Sequence, residues 1–145
     1  MENAMDAALE HAKSRAMYLN KCSSTYIIHI SIKELGLPSS MEGAFFAKKT
    51  VGLLCQNPRK KLKKEAYTAV GLLSEPFASD EHVEQSIRKA IQEAWEHRDD
   101  EIWKCYFPVG KVGREECPSN RDFLMAIVDF VEMWKGFCEE VNNGK

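Results

Sequence analysis

The feature that most constrains this chain is the run from residue 74 to residue 97. Ser74-Glu75-Pro76-Phe77-Ala78-Ser79 interrupts any regular element, and after it Val83, Ile87, Ala90, Ile91, Ala94 and Trp95 recur at steps of three and four. That period places all six on one side of a helix over about 81–97, which must bury them against something else. Ser79 or Asp80 supplies the oxygen that caps it. His82, Gln85, Ser86, Arg88, Lys89 and Gln92 fall on the other faces. Upstream, residues 59–73 begin as a cationic turn and continue as a helix with Leu62, Ala66, Ala69, Val70 and Leu73 inward. Helix, break, helix is the order a helix-turn-helix requires.

The rest of the chain reads as helices around that unit. Residues 3–19 carry Met5, Ala8, Leu9, Ala12, Ala16 and Met17 at helical spacing, a small, Ala-rich face that can pack on the remainder, pair with a second copy or fray. Over 25–35 the run Tyr26-Ile27-Ile28-His29-Ile30 has the β-branched content of a strand, but extended to Ile32 and Leu35 its spacing is helical. Gly36 supplies the C-cap and Pro38 forbids continuation. Ser39 with Glu42 has the spacing of a capping box for a helix running to about Asn57, with Met41, Phe45, Val51, Leu54 and Cys55 inward and Lys48 and Lys49 outward. A short helical piece follows at 101–107, then a loop at 108–118. Ser119 caps a last helix that buries Phe123, Leu124, Ile127, Val128, Val131 and Trp134. The expected fold is all-α: a compact bundle of about six helices containing a helix-turn-helix. Residues 1–24 form an N-terminal helical extension, 25–140 the helix-turn-helix domain, and 141–145 a tail.

At 145 residues, 44% of them hydrophobic, the chain suits one domain with a real core. The net charge of −2 is unremarkable, but its distribution is uneven. Residues 43–64 hold seven cations (Lys48, Lys49, Arg59, Lys60, Lys61, Lys63, Lys64) and no acid, whereas 75–101 hold nine acids against three bases. Two surfaces of opposite sign suggest two kinds of partner, although a charge run is as often a solvated face. The five cysteines are odd in number, widely spaced and without a C-x-x-C pair, which is neither a disulfide framework nor a zinc pattern and fits the cytoplasm. No run approaches the ~20 apolar residues of a membrane span, and the acidic start lacks a signal peptide's features.

Chemistry for catalysis is missing. His11, His29, His82 and His97 pair at metal spacing neither with one another nor with cysteine, and no phosphate loop, nucleophile elbow or H-E-x-x-H occurs. His29, between two isoleucines, reads as a core or boundary histidine. No enzyme activity, cofactor or metal is expected.

Three segments carry a family resemblance. Ile32-Lys33-Glu34-Leu35-Gly36-Leu37-Pro38 with Met41 and Gly43 resembles I-x-E-[IL]-G-[VL]-P-x-x-[IM]-x-G. Val83-Glu84-Gln85-Ser86-Ile87-Arg88-Lys89-Ala90-Ile91-Gln92-Glu93-Ala94-Trp95 is similar to V-E-R-A-I-R-x-A-I-x-x-A-W. Pro118-Ser119-Asn120-Arg121-Asp122-Phe123-Leu124 fits P-[ST]-N-x-x-F-[IL]. In this order and spacing they resemble the C-terminal DNA-binding effector domain of the sporulation initiation response regulator of endospore-forming bacteria, over roughly residues 26–135. The resemblance implies six helices, a recognition helix in the major groove of double-stranded DNA, two copies on tandem sites, and a loop after that helix that touches a sigma factor of RNA polymerase. Arg88 and Glu84 fall on matching residues of the recognition helix, while Gln85 and His82 stand where the family usually has arginine. Asp99, Asp100 and Glu101 fall in the polymerase-contacting stretch. The family normally carries a phosphorylatable receiver domain. Only about 25 residues precede the matched region here, too few for one, so control by that switch is not expected within this chain.

Two readings follow. In the first the chain is a sequence-specific DNA-binding transcription regulator. His82, Glu84, Gln85, Ser86, Arg88 and Lys89 then face DNA, Arg59, Lys60, Lys61, Lys63 and Lys64 position it through phosphates, and the chain pairs as a homodimer on DNA. In the second it is a helical interaction module whose acidic face binds RNA polymerase or another regulator.

Overall fold

The computed structural model describes residues 4–56 and 64–143. Among the described residues there are seven helices: α1 (Ala4–Leu19), α2 (Ser24–Glu34), α3 (Glu42–Gln56), α4 (Lys64–Leu72), α5 (Asp80–Glu96), α6 (Asp100–Tyr106) and α7 (Asn120–Asn143). The all-α architecture is the expected one. No helix among these residues is long and apolar enough to cross a membrane.

Local chemistry sets the helix ends. Ser23, Ser79 and Ser119 each accept a backbone N–H three residues on, from Tyr26, His82 and Asp122, at 3.2, 3.1 and 3.1 Å. These bonds satisfy donors that an α-helix leaves open at its start. At the end of α2, Gly36 takes φ +94°. The Gly36 N–H donates to Lys33 O and the Leu37 N–H to Ile32 O, the paired bonds of a Schellman motif. Its apolar partners Ile32 and Leu37 are both buried. The expected capping box does not form. Ser39 lies in a turn, α3 starts only at Glu42, and the Glu42 carboxylate reaches His82 at 2.7 Å.

Helix α7, 24 residues long, is the spine. α1, α2, α3, α5 and α6 all pack on it. Its inner residues Phe123, Leu124, Ile127 and Val131 are fully enclosed. On one side α3 and α4 hold α5, whose Val83, Ile87, Ala90 and Ile91 have no exposed surface. α3 and α5 cross so closely that a Cβ on Gly43 would meet the Ser86 carbonyl oxygen at 2.0 Å. On the other side α6 brings Trp103 into the core, where its indole N–H donates to Leu35 O at 3.1 Å.

α1 buries Ala8, Ala12 and Ala16 against α7 and α6. A polar cluster fixes its position. Glu34 accepts from Arg15 at 2.6 Å, lies 2.7 Å from His11 Nε2, and accepts from the Tyr106 hydroxyl. Burial pushes the Glu34 carboxyl up, but hydrogen bonds from His11 and Tyr106 and the charges of His11 and Arg15 outweigh it, leaving the group below its ordinary value. Burial and the same carboxylate raise the Tyr106 phenol, which therefore stays a donor.

Several expectations about burial need correction. Leu9 and Met17 are 38% and 63% exposed, so only the alanines of the face expected in the first helix turn inward. Leu62 lies outside the described residues. Phe45 is 48% exposed, and its neighbour Phe46 faces the core instead. Leu73 is 77% exposed, because α4 ends at Leu72 and the chain turns there. Trp95 is only half-buried, with its ring between Trp103 and the Arg98 guanidinium, 3.6 Å from its centroid. His29 is exposed.

Candidate nucleic-acid interface

The helix-turn-helix consists of α4, the turn 73–79 and α5. The turn is tied back by Ala78 N–H to Gly71 O and by the buried Ser74 hydroxyl to Val70 O. α5 is buried along one stripe and open along the other. Glu81, His82, Glu84, Gln85, Lys89, Gln92, Glu93 and Glu96 are exposed, and Ser86 and Arg88 are half-buried.

The six α5 residues expected at DNA lie in different settings. The side chains of Gln85 and Lys89, one turn apart, make no hydrogen bond or ion pair with other described residues. His82 is held by Glu42 and lies edge-on to Phe46. Ser86 is shielded by the approach of α3 at Gly43. Arg88 donates to Pro118 O at 2.6 Å and points a second nitrogen at Cys117 Sγ at 3.9 Å, which ties α5 to the loop before α7. The Glu84 carboxylate is free, while its carbonyl accepts from the Asn120 side chain at 2.9 Å.

Beside this flank is an open cleft of about 900 Å³ whose walls include Lys64, Gln85, Arg88, Asn120 and Arg121. Asp80, Glu81 and Glu84 also line it, so its charge is mixed. Lys64, the first residue of α4, is exposed and pairs with Asp80 at 3.3 Å. The other four expected phosphate-positioning residues, Arg59, Lys60, Lys61 and Lys63, lie outside the described residues. Arg121 was not singled out from the sequence. It occupies the first turn of α7, and only the fold places that turn beside α5.

A family model described as Sporulation initiation factor Spo0A C terminal matches residues 28–131. The chain belongs to that family. No curated protein and no solved structure matches it significantly. The Spo0A C-terminal family is a non-catalytic DNA-binding effector domain, so this chain is a DNA-binding module of the sporulation-regulator type and not an enzyme. The match takes in the whole helix-turn-helix and leaves α1 outside.

Asp99, Asp100 and Glu101 stand together at the start of α6, all exposed. Asp99 caps that helix by accepting from the Glu101 N–H at 3.0 Å, and Asp100 pairs with Arg98 at 3.0 Å. Among the described residues one trio, Glu93, Glu96 and His97, brings three metal-ligating atoms within 4.8 Å of one another. All three are exposed, and exposed carboxylates group this way without an ion.

Proposed function

We propose that this domain reads duplex DNA with the outward flank of α5. Gln85 and Lys89 are exposed on that flank with Glu84 and Arg88 beside them, and His82 and Ser86 lie toward α3. One observation carries the reading: Gln85 and Lys89 are exposed and unpaired directly opposite a fully buried stripe. A helix held this way can enter the major groove without disturbing its own packing. Gln matches adenine N6 and N7, Lys and Arg match guanine, and Glu accepts from cytosine N4. Lys64 and Arg121, which both line the cleft, are assigned to phosphates, and the cationic run Arg59, Lys60, Lys61 and Lys63 is assigned the same role from the sequence alone.

Fluorescence anisotropy with duplexes selected from a random pool tests this. Affinity should fall steeply with salt. Gln85→Ala should cost about 1–3 kcal/mol against the preferred base and little on other sequences. Arg121→Ala should weaken all sequences alike and reduce the salt slope by about one. A flat titration at low salt, or unchanged base preference in Gln85→Ala, would refute the assignment.

Two finer partner assignments belong with this reading. A homodimer on tandem sites would show as two chains per duplex. The exposed acids Asp99, Asp100 and Glu101 would face a sigma factor of RNA polymerase. Reversal of Asp100 and Glu101 should then abolish sigma-factor capture while leaving DNA binding intact. We take residues 25–140 as the effector domain, 1–24 as an extension docked by its alanine face, and 141–145 as a tail. The five unpaired thiols suit the cytoplasm, where such a protein meets DNA.

A further inference from the structure

α2, α3 and the end of α4 enclose a groove away from the outward flank of α5. Its volume, about 630 Å³, lies within the roughly 300–1,000 Å³ of small-ligand sites. Ile28, Leu53 and Val70 line it. Tyr26, Phe45 and Leu73 form its rims, and they are 48%, 48% and 77% exposed. A single bare apolar side chain is ordinary, whereas three around one groove mark a surface that something covers.

Beside the polar Ser23, Thr25, His29 and Gln56, the groove carries two lysines. Lys48 and Lys49 stand at its mouth, with Lys49 Nζ 5.4 Å from the centroid of the Phe45 ring. Among the described residues no carboxylate lines it, in a chain with 22 acids against 20 bases. The adjoining cleft shares Phe45 and Leu73 but is lined by Glu42 and Glu75. The cationic stretch is therefore short. A long acidic helix laid across both clefts would meet those carboxylates, while a compact anion would not.

Gly52 adds a second, independent observation. It lies inside α3 with ordinary backbone geometry and lines the groove, and a Cβ there would meet nothing within 4 Å among the described residues. Glycine inside a helix costs about 1 kcal/mol relative to alanine. Neither the backbone nor any neighbour among the described residues requires it, and its effect is to leave the groove open.

We propose that this groove binds a small anionic amphiphile, with a carboxylate head at Lys48 and Lys49 and an apolar chain along Ile28, Leu53 and Val70. Val70 belongs to the first helix of the helix-turn-helix, so the occupant touches the element that holds the recognition helix.

The test uses the whole chain with sodium octanoate and sodium decanoate, followed by calorimetry and by amide shifts. Decanoate should bind one-to-one, with shifts confined to the groove around Ile28, Phe45, Leu53 and Val70. It should bind at least tenfold tighter than octanoate, since each buried methylene is worth about fourfold. Decyltrimethylammonium should not bind. Lys48→Gln with Lys49→Gln should weaken decanoate at least tenfold. Gly52→Leu should abolish binding at an unchanged or higher melting temperature. If that variant misfolds, the lysine pair and the cationic probe still decide the matter. Unsaturable or scattered binding, equal binding of the cation, or undiminished binding by folded Gly52→Leu overturns the proposal. So does a dimer in sedimentation that Gly52→Leu converts to monomers, because the groove would then be a self-interface.

Discussion

Replacing Gly43 by alanine tests whether the seating of α5 governs DNA binding. The new Cβ would lie 2.0 Å from Ser86 O and 2.7 Å from Ala90 Cβ. An ordinary carbon–oxygen contact is about 3.3 Å or longer, so α3 and α5 must separate by about 1.3 Å. The obstacle is backbone and cannot swing aside, which puts the cost near the top of the ~1–3 kcal/mol range for overpacking. Better helix propensity returns at most about 1 kcal/mol, its value in a helix interior, since Gly43 is only the second residue of α3. The net loss of about 2 kcal/mol corresponds to a melting temperature about 4–8 °C lower. The same displacement moves Gln85 and Lys89 relative to the scaffold, so specific affinity should fall about tenfold or more, the worth of one good base contact. Gly52→Ala, in the same helix with open space around it, should gain up to about 1 kcal/mol and bind DNA normally. Calorimetric melting and anisotropy on both variants make the comparison. A Gly43→Ala protein that melts no lower than its parent and binds DNA equally would refute the packing argument.

Two further outcomes follow from the polar interactions. The depressed Glu34 carboxyl contributes stability that is complete above its unfolded value, near pH 4.5, and is lost as pH falls through its lower folded value. The stability difference between parent and Glu34→Gln, read from urea midpoints, should therefore shrink from about pH 6 to pH 3. A difference constant over that range would show that the Arg15, His11 and Tyr106 contacts do not act through the charge. Ser79→Ala should cost about 1 kcal/mol through the lost α5 cap, seen as a melting point a few degrees lower, whereas Ser79→Asp should restore it.

The sequence was most legible where one local rule governed. The stripe Val83, Ile87, Ala90, Ile91, Ala94 needed only helical period, and Ser119 and Gly36 needed only cap chemistry. It was least legible where two adjacent residues competed for one place. Phe45 and Phe46 are equally apolar, and only the direction from which α5 approaches turns Phe46 inward. Ser39 and Glu42 had the right spacing for a cap, but a histidine 40 residues away took the carboxylate.

By itself the sequence determined that the chain is helical, where most helices begin and end, and which helix carries a polar flank, because these depend on residues within a few turns of one another. Tertiary structure alone decided that Arg88 ties to Pro118, that Arg121 shares a cleft with Gln85, and that Gly52 opens onto an apolar groove. Those pairings join residues about 30 or more positions apart, or depend on what packs around a position. No local period or cap encodes them, since they arise only when α3, α4 and α7 close around α5.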